Sequence, residues 1–160
     1  MAEEKRRSIQ SIMRLVIQRV KKASVSVSQK NVGKISHGML ILLGISKDDS
    51  EADVDQLVRK VVKIRIFDDP QGKMNLPIAD VGGEFLVVSQ FTLLGDCSKG
   101  RRPSFDAAAD PKKAEEFYQM FVSKLRLANF KVETGEFRAM MDVELINDGP
   151  VTFVIDSAVK

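Results

Sequence analysis

The run Glu84-Phe-Leu-Val-Val-Ser-Gln-Phe-Thr-Leu-Leu94 limits what this chain can fold into more than any other stretch. Its apolar residues follow one another without the three-and-four spacing of an amphipathic helix, so it reads as a strand buried in the molecule. Gly38-Met-Leu-Ile-Leu-Leu-Gly-Ile45 is a second continuous apolar run of strand length, bounded by glycine. Within the first run Ser89 and Thr92 lie three apart. On a strand their side chains point to opposite faces and cannot act as a nucleophile and its neighbour.

Further strands and two helices surround these runs. Met13-Arg-Leu-Val-Ile-Gln-Arg-Val20 reads as a strand, and Ser24-Val-Ser-Val-Ser28 alternates with the period of two of a half-buried one. Asp48, Asp49 and Ser50 supply N-cap chemistry for a helix whose apolar residues Val54, Leu57, Val58, Val61 and Val62 recur at three and four. Asp68-Asp-Pro-Gln-Gly72 is a turn leading into Lys73-Met-Asn-Leu76. Asp110-Pro111 starts a second helix with proline at its first position. Ala114, Phe117, Tyr118, Phe121, Leu125 and Ala128 form its apolar stripe, and Asn129 ends it. Residues 130–134, 143–147 and 151–157 read as strands, the last two hinged by Asp148-Gly149-Pro150. Strands in runs with helices segregated between them predict an α+β fold with mainly antiparallel sheet, the short connections leaving no room for parallel crossovers. Residues 1–12 are polar and without period, so the expectation is a flexible extension over 1–12 and a single domain over 13–160.

Composition removes several classes of function. A hydrophobic share of 44% and a charged share of 29% are those of a globular protein, and no apolar run is long enough to span a bilayer. No apolar segment of signal-peptide type follows the charged start, so a cytoplasmic address is the default. One cysteine, Cys97, forbids an intrachain disulfide, and with the single histidine, His37, it leaves no usual zinc set. The aspartates 68, 69 and 80 read as turn chemistry, and no metal or other cofactor is expected. His37 lies in a Ser-His-Gly turn far in sequence from Ser89, reads as a solvated turn residue, and argues against a Ser-His pair. A net charge of +3 permits nucleic acid without demanding it. The loop over 95–106 is polar, basic and glycine-bearing, the kind on which sites are built.

Taken in order with Asn147-Asp-Gly-Pro-Val-Thr152, the first run resembles the paired signatures of the D-aminoacyl-tRNA deacylases. The resemblance runs from about Met13 to the end and takes in Lys73-Met-Asn-Leu76, Gly100-Arg-Arg-Pro-Ser-Phe105 and Phe137-Arg-Ala-Met-Met141. It implies a homodimer whose sheets form a barrel-like core, with the sites at the subunit interface and the 3′ end of a D-aminoacyl-tRNA as partner. It places Ser89, Gln90, Phe91 and Thr92 in the catalytic set, with main-chain N–H groups around Phe91 and Thr92 facing the scissile ester. It makes Gly149-Pro150 a cis pair that reaches into the partner's pocket, where its carbonyls grip the substrate's amino group and exclude an L side chain. Arg102 becomes a tRNA-backbone or anchoring residue, and Phe137, Ala139 and Met141 line an adenine pocket. Arg138 departs from the family's glycine, and Pro77 stands where serine is commoner. The implied activity is hydrolysis of D-aminoacyl-tRNA, and of glycyl-tRNA mischarged on tRNA-Ala. The alternatives are a non-catalytic nucleic-acid-binding dimer and a small esterase using Thr92 as nucleophile.

Overall fold

The computed structural model describes residues 12–157. The expected extension lies outside them except for Ile12, which is buried. In chain order the elements are β1 (Arg14–Val27), β2 (Lys30–Ile35), β3 (Gly38–Gly44), α1 (Glu51–Lys63), β4 (Phe67–Asp68), β5 (Met74–Leu76), β6 (Glu84–Ser89), α2 (Pro111–Leu127), β7 (Val132–Thr134) and β8 (Asp142–Asp156). Two short 3-10 helices, Ile78–Val81 and Phe91–Leu94, flank β6.

The two stretches read separately at the start of the chain are one strand, β1. It turns through Ser28 and Gln29, both at positive φ (49° and 66°), into β2. That is the backbone of a tight primed hairpin, built without the Asn-Gly that would have announced it. β2 and β3 pair with β1 in one register, Ala23 opposite Ile35 and Val20 opposite Gly38, so they lie end to end along a single edge of β1. β8 takes the other edge.

The pairings of β1 with β2, β3 and β8, and of β4 with β5, are antiparallel, as expected of a mainly antiparallel α+β fold. The exclusion of parallel crossovers is overturned. β6 runs parallel to β3, and β7 parallel to β6, with α1 and α2 lying in the connections. The reason is visible in the apolar runs, because strands covered on both faces lose polar alternation. Met39, Ile41, Leu43, Phe85 and Val87 pack into the core beneath the helices, while Leu40, Leu86 and Val88 join Val20, Ala23, Val25 and Ile35 in a second core. The sheet curls around that second core until its ends almost meet, a nearly closed barrel. Gly33 of β2 comes so close to β7 that a Cβ there would lie 2.3 Å from the Thr134 carbonyl oxygen, which requires glycine.

The helices begin where their caps predict. Ser50 and Asp53 form a capping box on α1, Asp53 accepting from the Ser50 N–H at 2.8 Å. The Asp110 carboxylate accepts from the Lys113 N–H at 3.0 Å at the start of α2. Ala114, Tyr118, Phe121 and Leu125 are buried on α2, whereas Ala128, assigned to the same stripe, is the exposed C-cap. Asn129 ends the helix at φ +69°. His37 is half-buried rather than solvated, its ring edge-on to Phe67 with centroids 5.2 Å apart.

Candidate active site

The carboxyl ends of the three parallel strands β3, β6 and β7 point the same way, and the segments leaving them enclose a cleft of about 560 Å³. Clefts beyond the carboxyl ends of parallel strands are a usual place for ligands in α/β sheets. Val88, Ser89, Gln90 and Phe91 form its floor at the end of β6, and Phe137, Arg138, Ala139 and Met141 form one wall after β7. The opposite wall carries Phe105, Ala108, Ala109 and Pro111, ahead of α2.

The expected strand 84–94 stops at Ser89. The Gln90 N–H still reaches the Leu43 carbonyl at 2.8 Å, the last rung toward β3, and the chain then winds into the 3-10 turn Phe91–Leu94. The turn packs on Gly44, where a Cβ would meet Leu94 Cδ2 at 2.5 Å. The opposite-face argument for Ser89 and Thr92 therefore lapses, since the two residues do not share a strand. Winding has a second consequence. The opening N–H groups of a helical turn, here those of Phe91 and Thr92, have no carbonyl one turn earlier within it to bond. Thr92 Oγ1 instead accepts from its neighbour Gln90 Nε2.

The opposite wall is fastened from beneath. An antiparallel bridge joins Ser46 to Ala108, the Lys47 N–H donates to the Ala107 carbonyl at 3.0 Å, and the Ala109 N–H donates to the Ile45 carbonyl at 3.0 Å. The buried Asp49 carboxylate holds that anchor by accepting from the Ser46 N–H (2.6 Å) and hydroxyl (2.8 Å). Burial pushes its pKa up to about 6, against the opposing pull of the Ser46 hydrogen bonds. Beyond it, paired N–H to carbonyl bonds between Asp96 and Ser104 pinch off a lobe whose exposed tip carries Lys99, Arg101 and Arg102. Phe105 at the root of the lobe meets Phe91 edge-on, centroids 5.2 Å apart, and Phe91 is 53% exposed at the mouth. Behind the β7 wall, Tyr118 stacks on Phe137 and donates to the Val87 carbonyl at 2.8 Å. Burial drives the Tyr118 pKa up to about 12.

Of the residues singled out in the sequence, Ser89, Gln90, Phe91, Phe137, Ala139 and Met141 line this cleft together. Thr92, Arg102, Gly149 and Pro150 do not, nor do His37 and Cys97. Met140, between the lining residues Ala139 and Met141, is itself exposed. Phe105, Ala108 and Ala109 line the cleft without having been picked out. Phe105 alone left a signal, as the last residue of the Arg-Pro-Ser-Phe motif.

Gly149-Pro150 is a cis pair in the middle of β8. Gln18 of β1 faces Thr152 and Val20 faces Asn147, so the single residue Arg19 faces the four residues 148–151, which must arch out of the ladder. Asn147 Nδ2 closes the base of the arch by donating to the Arg19 and Val151 carbonyls at 2.9 and 3.1 Å. Arg19 is 4% exposed and donates to the Asp148 carbonyl (3.1 Å) and the Ile66 carbonyl (2.8 Å), with the Asp148 and Asp68 carboxylates at 3.2 and 3.1 Å. Nothing in the sequence marked Arg19, because a lone basic residue in an apolar strand reads as its solvent face.

The family model for D-Tyr-tRNA(Tyr) deacylase matches residues 16–156. The D-aminoacyl-tRNA deacylase of Thermosipho africanus is 57% identical over 145 residues, 91% of this chain and 97% of that one. The Brevibacillus brevis enzyme of the same name is 53% identical over 91% of this chain and its own full length. A solved structure described as c-Myc DNA Unwinding Element Binding Protein superposes with a TM-score of 0.85 at 38% identity, covering 91% of this chain and 99% of that one. A probable eukaryotic D-amino acid tRNA deacylase shares the fold, with a TM-score of 0.79 at 17% identity over 91% of this chain. With its parallel-strand cleft, its arched β8 and relatives matching over nine-tenths of its length, the chain belongs to the D-Tyr-tRNA(Tyr) deacylase family.

Proposed function

We propose that the protein hydrolyses the ester of D-aminoacyl-tRNA, with water adding to the ester carbonyl, the acyl carbon–oxygen bond breaking, and free D-amino acid leaving tRNA with its terminal hydroxyl restored. The supporting observation is the floor of the cleft. The 3-10 turn at the end of β6 leaves the main-chain N–H groups of Phe91, which borders the cleft, and of Thr92 next to it without a carbonyl partner inside the turn, while among the described residues no imidazole or carboxylate lines the cleft beside Ser89. Fixed N–H donors stabilise a developing oxyanion without a side-chain nucleophile, and one such donor is worth about 10²–10³ in rate. The proton of the attacking water passes by way of the terminal ribose hydroxyl of the tRNA itself. Ser89 and Gln90 shape the approach, and the cleft between Phe137, Ala139 and Met141 takes the adenine. Arg102, at the tip of the basic lobe, contacts the tRNA backbone.

In this reading the protein is a homodimer in the cytoplasm. The arch at Gly149 and Pro150 is exposed and does not border its own chain's cleft, which fits a clamp that serves a partner's. Among the described residues β8 pairs only with β1, leaving a free edge with Ile146, Phe153 and Val154 exposed. No helix of the described residues is long and apolar enough to cross a membrane. A clamp of main-chain carbonyls at the amino group admits hydrogen or a D side chain at the α-carbon and collides with an L side chain, so glycyl-tRNA mischarged on tRNA-Ala is also a substrate.

The reading as a nucleic-acid-binding protein without catalysis draws on one observation, the description of the 38% identical solved relative. Incubation with matched D- and L-tyrosyl-tRNA separates the two. Release of D-tyrosine with the L ester intact supports the hydrolase, and tight tRNA binding with both esters intact supports the binder.

A further inference from the structure

Among the described residues Arg138 is the one charged side chain lining the cleft, amid phenylalanine, alanine, valine, methionine, proline, serine and glutamine. Three features set it apart. It is exposed while bordering the cleft, which places it at the mouth. Its backbone is left-handed, φ +65°, a conformation that favours glycine, is tolerated by asparagine and strains a long side chain such as arginine. Among the described residues it has no hydrogen bond or ion pair, so no such contact among them repays that strain. A guanidinium held at some conformational cost over a neutral cleft is suited to an anion brought by the ligand.

We propose that Arg138 binds the phosphodiester that joins the last nucleotide of the tRNA to the one before it. The inference rests on the cleft receiving an aminoacylated 3′ adenosine. Adenine and ribose are neutral and the amino group of the ester is positive, so the negative charge common to every such substrate is the phosphodiester that follows the nucleoside out through the mouth. Guanidinium groups match phosphate oxygens with two parallel N–H donors. A D-aspartyl or D-glutamyl carboxylate offers the same oxyanion chemistry but is present in few substrates, and would give a different pattern.

The test compares wild type with Arg138→Asn, which tolerates the left-handed backbone without charge, and Arg138→Lys, which keeps the charge. Two readouts are taken over a range of KCl concentrations: titration of uncharged tRNA, and steady-state hydrolysis of D-tyrosyl- and D-aspartyl-tRNA. Arg138→Asn is expected to weaken tRNA binding and raise KM about tenfold on both esters. It should leave kcat within about twofold and reduce the slope of log affinity against log salt by about 0.7, one phosphate contact on a single strand. Arg138→Lys should keep the slope. Its melting temperature should show Arg138→Asn folded and no less stable than wild type. Unchanged affinity and slope in Arg138→Asn overturn the proposal, as does a loss confined to D-aspartyl-tRNA, which would assign the guanidinium to a side-chain carboxylate. A wild type that hydrolyses neither D ester sinks the hydrolase reading, and the uncharged-tRNA titration still decides the phosphate contact.

Discussion

Arg19 is where a single substitution should separate the arch from the rest of the fold. Arg19→Met keeps the length and apolar stem of the side chain and removes every donor. The Ile66 and Asp148 carbonyls lose partners at 2.8 and 3.1 Å, and the Asp148 and Asp68 carboxylates lose theirs at 3.2 and 3.1 Å. Breaking a buried ion pair from one side costs about 3–5 kcal/mol. Asp68 is 52% exposed and Asp148 28%, so water takes over part of the solvation of both carboxylates. The two carbonyls then dominate, at about 1–3 kcal/mol for each acceptor left without a donor. The expected loss is about 3 kcal/mol, which the total stability of a domain this size survives. With a urea slope of about 2 kcal/mol per M it is a fall of about 1.5 M in midpoint. Urea unfolding measures that, and single-turnover hydrolysis of matched D- and L-tyrosyl-tRNA on the folded variant measures the rest. Slower D cleavage with some L cleavage is expected, because the arch carrying Gly149 and Pro150 loses its inner support. A midpoint within about 0.3 M of wild type, about 0.6 kcal/mol, would refute the assignment of Arg19 as the post of the arch. A destabilised variant with unchanged D rate and full refusal of the L ester would separate Arg19 from chirality altogether.

Two further outcomes follow from buried titrating groups. Asp49, lifted to about pH 6, keeps a proton in the folded state that the unfolded chain releases near pH 4, so its contribution to stability falls as pH rises between those values. The difference in unfolding free energy between Asp49→Asn and wild type should therefore move in the variant's favour by about 2–3 kcal/mol from pH 4 to pH 7 in urea titrations, and a constant difference would contradict the burial argument. Tyr118 is lifted to about 12, so it stays neutral in the folded state while the unfolded side chain ionises near 10, and its contribution is lost as pH rises from 10 to 12. Tyr118→Phe should cost about 1 kcal/mol at neutral pH through the lost bond to the Val87 carbonyl, and should be less sensitive to that alkaline window than wild type.

What the chain disclosed in advance follows the range of the forces involved. Helix starts are local: Ser50 and Asp110 sit beside the N–H groups they cap, and both ends were readable. The turn at Asp68–Gly72 was readable for the same reason, with Asp69 accepting from the Gln71 and Lys73 N–H groups. β2 was missed because its hairpin uses Ser28 and Gln29 at positive φ, residue types that give no signal for such a turn. The end of β6 was misplaced because Phe91, Leu93 and Leu94 continue the apolar pattern, while the packing of the 3-10 turn on Gly44 is a contact between distant residues. Parallel pairing was excluded because a strand buried on both faces carries no mark of its neighbours' direction. In the site, residues inside motifs were named, whereas the wall at Ala108 and Ala109 and the post at Arg19 exist only through contacts with Ser46, Ile45, Ile66 and Asp148.

The central claim is that main-chain groups at the end of β6, and no side-chain nucleophile, carry out a stereoselective ester hydrolysis. Its most direct test removes both hydroxyls at once, in a Ser89→Ala, Thr92→Ala double variant, and follows single-turnover cleavage of D- and L-tyrosyl-tRNA beside wild type. Removing a true nucleophile costs on the order of 10⁶ in rate. A D rate within about tenfold of wild type with the L ester still refused is the predicted result. A loss of D cleavage beyond about 10³, with the variant folded and binding tRNA as wild type does, would contradict the account and return a hydroxyl to the chemistry.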